Sequence, residues 1–123
     1  MESLIIKGTD YCPTVVLSEN GICKIEGSAI PEDAGIMFKP LFTWAKNCEM
    51  ERLFLDINLY YYNTAVSKQL YDLFEKFEEN PKIGEIYINW HFEEGDDEAK
   101  ESGEIYADLL ERTNFSYIEY EEA

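Results

Sequence analysis

Residues 53–77 read Leu53-Phe-Leu-Asp-Ile-Asn-Leu-Tyr-Tyr-Tyr-Asn-Thr-Ala-Val-Ser-Lys-Gln-Leu-Tyr-Asp-Leu-Phe-Glu-Lys-Phe77, and two different periods meet inside them. Leu53, Leu55, Ile57, Leu59 and Tyr61 alternate with Phe54, Asp56, Asn58, Tyr60 and Tyr62, the period of two that puts one face of a strand in a core. Val66, Leu70, Leu73, Phe74 and Phe77 then recur at three and four, the spacing of an amphipathic helix that ends near Asn80-Pro81. A central strand followed at once by a helix is the core of an α/β fold, and the junction between them is Asn63-Thr64.

Working outward, Ser3 to Lys7 and Pro13 to Ser18 are short strand-forming runs, and Asn20-Gly21 marks a tight hairpin into Ile22 to Glu26. A two-residue turn there pairs Ser18 with Cys23 and Val16 with Ile25, sending Lys24 and Glu26 to the opposite face. Pro31-Glu32-Asp33 starts a helix with Asp33 as N-cap and with Met37, Leu41, Trp44 and Cys48 on one side; Pro40 inside it predicts a kink or a weak first turn. Ile86, Ile88, Trp90 and Phe92 predict a strand. After the acidic turn Glu93 to Asp97, Ala99, Ser102, Tyr106, Leu109 and Leu110 predict a helix, and Phe115 to Glu121 a last strand. The expected fold is one α/β domain over residues 1–123, a mixed sheet covered by about three helices in the order β-β-β-α-β-α-β-α-β. Strand and helix alternation in the second half implies right-handed crossovers between parallel neighbours.

Composition narrows the function classes. With 26 acidic and 10 basic residues the chain carries a net charge of -16, which repels phosphate backbones and anionic lipid, so neither nucleic acid nor membrane is an expected partner. The most apolar stretch, 53–62, is interrupted by Asp56 and Asn58, and Met1-Glu2-Ser3-Leu4 does not read as a signal peptide; the expected location is the cytoplasm. Cys12, Cys23 and Cys48 form no C-x-x-C pair and read as reduced small hydrophobes, and a single histidine, His91, supplies no metal set. No metal and no cofactor is expected.

Catalytic signatures are missing as well: there is no Gly-rich phosphate loop and no nucleophile elbow, and the 7 glycines are scattered. His91 and mid-strand Asp56 are the residues on which an enzyme reading would rest, and both have ordinary structural explanations. The run Tyr60-Tyr61-Tyr62 closes the central strand, and at least one of the three should face outward, where tyrosine suits a protein interface.

Four segments carry a family likeness: Thr9-Asp-Tyr-Cys-Pro-Thr-Val, Gly27-Ser-Ala-Ile-Pro-Glu-Asp, Tyr61-Tyr-Asn-Thr-Ala-Val-Ser-Lys, and Asn89-Trp-His-Phe through Glu101-Ser-Gly-Glu-Ile-Tyr-Ala. In this order and spacing the chain resembles the SiaC-type bacterial regulatory phosphoproteins, which are distantly similar to STAS-type anti-sigma-factor antagonists. The resemblance implies a non-enzymatic partner-switching regulator that is phosphorylated on Thr64 by a cognate protein kinase and restored by a PP2C-like phosphatase. In characterised members the unphosphorylated form promotes a diguanylate cyclase. Around Thr64, the residues expected to flank the switch or meet a partner are Tyr60, Tyr62, Asn63, Ser67 and Lys68. Ala65-Val66 replaces part of a hydroxyl-rich run, which leaves fewer alternative acceptors beside Thr64. The rival readings are a constitutive protein-binding module in which Thr64 is only a helix cap, an anti-sigma-factor antagonist-like protein, and a small enzyme using His91 or Asp56.

Overall fold

Nine elements follow in the expected order in the computed structural model, which describes residues 2–121. They are β1 (Leu4–Ile6), β2 (Thr14–Leu17), β3 (Ile22–Ala29), α1 (Ala34–Asn47), β4 (Met50–Tyr62), α2 (Thr64–Glu79), β5 (Ile83–Glu93), α3 (Asp97–Leu109) and β6 (Asn114–Tyr120). The six strands form one sheet in sequence order; β1, β2 and β3 are antiparallel, and β3 to β6 are parallel. Consecutive right-handed crossovers in one direction along a sheet place every helix on the same face. Burial agrees: Leu53, Leu55, Ile57 and Leu59 of β4 are buried, while Arg52, Phe54 and Asp56 face the uncovered side. Full burial of such a side chain contributes about 1.5–3 kcal/mol, so this strand is a large share of the core.

The hairpin register differs from the sequence expectation by one residue. Val15 pairs with Ile25 and Val16 with Lys24. The turn closes earlier than a two-residue Asn20-Gly21 loop would, through Gly21 N–H donating to the Ser18 carbonyl at 2.9 Å. Gly21 has φ +88, and a Cβ there would lie 2.2 Å from the Arg52 carbonyl oxygen, so the position admits only glycine. The slip of one turns over the side chains of β2 and leaves those of β3 as expected: Val15 and Leu17 are buried in place of Val16 and Ser18, Cys23 and Ile25 are buried, and Val16 turns outward with Lys24. The three cysteines are free thiols.

Asp33 caps α1 as expected, accepting from the Ile36 amide at 3.1 Å, and the helix continues through Pro40 to Asn47. The carbonyl that loses its partner belongs to Ile36, which is exposed, so water can replace the missing donor. On α3 the sequence expectation placed Ser102 and Leu109 inside; instead Ala99, Gly103 and Tyr106 are buried and Leu109 is exposed. A Cβ at Gly103 would sit 2.7 Å from Trp90 Cδ1, so the missing side chain lets α3 lie close on the sheet. At the opposite end, the Arg112 guanidinium donates to the carbonyls of Phe77, Glu78, Asn80, Ile83 and Gly84, closing the C-terminus of α2.

Candidate functional site at the strand-to-helix junction

The local geometry begins with a bulge. Gly27 pairs with Leu59, but Ser28 pairs with Tyr61, so Tyr60 is an extra residue on β4. The alternation changes phase at that point. Tyr61, expected on the core side, is 69% exposed, Tyr60 is 52% exposed, and Tyr62 turns inward with its ring edge-on to Trp90 at 6.0 Å. Burial is the main cause that raises the Tyr62 phenol above its ordinary value, and the fields of Asp96 and Glu98 add to it, while a hydrogen bond with Ser102 opposes. The Tyr60 hydroxyl donates to Glu26 Oε1 at 3.1 Å.

Directly after the bulge, Asn63 turns the chain into α2. Its side chain accepts from the Val66 amide at 2.9 Å and its carbonyl from the Ser67 amide at 3.0 Å. Thr64 is therefore the first helical residue, exposed, with its hydroxyl making no hydrogen bond among the described residues. The first-turn amides of a helix have no intrahelical acceptor, and the dipole makes that end positive. Ser67 is half-buried: its Oγ lies 2.6 Å from the Tyr106 hydroxyl, which also donates to the Ser67 carbonyl at 3.0 Å. Through these contacts Tyr106 ties α2 to α3, and burial pushes its phenol up to about 12. Lys68, one turn beyond Thr64, is exposed and forms no ion pair among the described residues.

Tyr60, Tyr62, Asn63, Thr64 and Ser67 thus come together on one open groove of about 580 Å³; Lys68 is not part of its lining. The far wall was not foreseen from the sequence. It consists of Asp96, Glu98, Ala99 and Ser102 around the start of α3, with Ile30, just after β3, as a further contributor. The signal was available: parallel neighbours bring the loops after their C-terminal ends together, and β4 and β5 are such neighbours. Asp96 caps α3 through the Ala99 amide at 3.1 Å, which fixes that wall.

Asp56 and His91 lie elsewhere, on the uncovered face of the sheet. His91 Nε2 is 3.2 Å from Asp56 Oδ1, and the same oxygen accepts from Asn89 Nδ2 at 3.0 Å. Mid-strand Asp56 finds its partners on the neighbouring strand, as a charge in that position requires. No helix of the described residues is long and apolar enough to cross a membrane.

A family model described as SiaC family regulatory phosphoprotein matches residues 6–120. An uncharacterised protein of Pseudomonas aeruginosa strain UCBPP-PA14 is 26% identical over 111 residues, 86% of this chain and 88% of that protein. Among solved structures, the diguanylate cyclase SiaD in complex with its activator SiaC from Pseudomonas aeruginosa contains a chain that superposes with a TM-score of 0.82 at 22% identity, over 95% of this chain and 99% of that one. SiaC of Pseudomonas aeruginosa gives 0.79 at 22% identity, over 98% and 100%. At this identity the structures establish the shared fold.

Proposed function

Because the chain belongs to the SiaC family of regulatory phosphoproteins, we propose that it is a non-enzymatic partner-switching regulator whose acceptor is Thr64. A cognate kinase adds the phosphate and a PP2C-like phosphatase removes it. The unphosphorylated form binds a signalling enzyme in the cytoplasm, by analogy a diguanylate cyclase, as SiaC activates SiaD in the related complex. The observation that carries the reading is the exposed, uncommitted hydroxyl of Thr64 at the first position of a capped helix, on the rim of a groove.

That position separates folding from binding. Free first-turn amides can donate to an added phosphate and the helix dipole favours its charge, so the fold tolerates it. A partner packed over the groove meets a bulky group with about two negative charges in a partly desolvated contact. Asp96 and Glu98 on the facing wall already make the groove acidic, so the modified form concentrates like charge at one place.

The experiment compares the purified Thr64-phosphorylated and unphosphorylated proteins against each recovered partner, after intact mass has established the modification. Phosphorylation should lower affinity by at least about tenfold, roughly 1.4 kcal/mol, and Thr64→Ala should abolish the mass increment. Equal binding of both forms to every partner refutes the switch and leaves the constitutive binding module.

A further inference from the structure

We propose that the partner's footprint runs past Thr64 across an exposed apolar strip formed by Tyr61, Ile30, Tyr11 and Ile36, and that the docking segment of the partner protein presents apolar side chains bordered by lysine or arginine. The proposal rests on the groove at Thr64 being where that partner approaches.

Exposure is the first observation. Ile36 is 71% exposed, Tyr61 69%, Tyr11 63% and Ile30 41%. The strip with Tyr60 holds five of the twelve exposed large hydrophobic residues of the described chain, a clustering that marks an interaction surface rather than scattered apolar positions. The fold does not need them there. The core side of α1 is Ala34, Phe38, Leu41, Trp44 and Ala45, and Ile36 occupies the first turn, where an acidic residue would suit the helix dipole better.

Continuity is the second. Ile30 lines the groove that holds Thr64, and its amide donates to the Tyr11 carbonyl at 2.8 Å. The loop then leads through Cys12 and Pro13 to a second cleft of about 330 Å³, which Ile36 lines together with Ile6, Pro31 and Met37. Charge is the third. The charged residues that line the two clefts are Asp33, Asp96 and Glu98, all acidic; of the charged sequence neighbours of the strip and clefts, Asp10 beside Tyr11 and Glu32 beside Asp33 are acidic and Lys7 beside Ile6 is basic. On a chain of net charge -16 this surface repels an acidic protein, an anionic bilayer and a second copy, and it complements a basic border around an apolar centre.

The test uses fluorescence anisotropy with a labelled synthetic amphipathic peptide of leucine and lysine, against a leucine and glutamate counterpart. The unphosphorylated protein should bind the basic peptide at least about tenfold more tightly than the acidic one. Ile36→Asp should lower the basic peptide's affinity at least about fivefold although it adds a negative charge, and the helix keeps its stability because aspartate suits a first turn. Ile105→Asp makes the same charge change at an exposed position of α3 outside both clefts and should leave affinity unchanged. Equal affinities of the two variants would mean charge attraction alone and overturn the proposal. So would a dimer in sedimentation, or adsorption to phosphatidylglycerol vesicles, that Ile36→Asp removes. Because a phosphate on Thr64 would itself attract the peptide's lysines, the switch is read on the recovered partners: if Ile36→Asp weakens peptide binding while both Thr64 forms bind every partner equally, the strip stands and the switch fails.

Discussion

Tyr106→Phe removes one oxygen and tests whether α3 is held to α2 by the Ser67 contact. The aromatic ring is retained, so its edge-on packing against Phe74 at 5.4 Å and Trp90 at 5.3 Å survives. What is lost is the 2.6 Å contact with Ser67 Oγ and the 3.0 Å bond to the Ser67 carbonyl. A neutral hydrogen bond contributes about 0.5–1.5 kcal/mol net, and half-buried Ser67 can recover part of it from water, so the expected loss is about 1–2 kcal/mol. For a domain near this size that lowers Tm by roughly 4–10 °C. Urea unfolding should show a lower midpoint with unchanged m, since the surface exposed on unfolding is the same. A double-mutant cycle with Ser67→Ala should return a coupling of at least about 0.5 kcal/mol. Full additivity, or wild-type stability of Tyr106→Phe, would refute the tether.

Two further outcomes follow from the same network of caps. Asn63→Ala removes the acceptor for the Val66 amide and should cost about 1 kcal/mol, read by thermal unfolding; no loss would mean that the side chain does not cap α2 in solution. Glu78 is opposed by its burial, yet donors from Thr113, Arg112 and Glu111 outweigh that and hold its carboxyl below the ordinary value of 4.5. A depressed folded pKa gives stability that is fully present above the unfolded value and lost as pH falls through the folded one. The stability difference between wild type and Glu78→Gln should therefore be constant near neutral pH and shrink below about pH 4.5, and a constant difference down to acid unfolding would contradict it.

What the sequence disclosed was local in range. Asp33 and Asn63 announce their helices because a cap and the amide it accepts from are three residues apart. The alternation from Leu53 to Leu59 announces β4 because one face of it is fully buried. What escaped depends on partners remote along the chain. The hairpin register is decided by Gly21 lying against Arg52 of β4, and the phase change at Tyr60 is decided by pairing with Gly27 and Ser28. Neither Asn20-Gly21 nor the tyrosine run records those partners. The same holds for the far wall of the groove, since Asp96, Glu98 and Ser102 reach Thr64 only through the order of parallel strands.

The anchoring of α2 constrains how any switch at Thr64 can operate. Val66, Leu70, Leu73, Phe74 and Phe77 are all buried, and at about 1.5–3 kcal/mol each the helix is held to the sheet by a gross term on the order of 10 kcal/mol. A charge in the first turn of a helix changes its stability by roughly 0.3–1 kcal/mol, and a phosphate there acts in the stabilising direction. The modification is an order of magnitude too weak to melt or displace α2, and it has the wrong sign to do so. A regulator built on this junction must therefore be read from outside, by a partner that touches the groove. The bulge at Tyr60 fits that requirement: it leaves Tyr60 and Tyr61 exposed beside Thr64, while Tyr62 packs on Trp90 and fixes the base on which Thr64 stands.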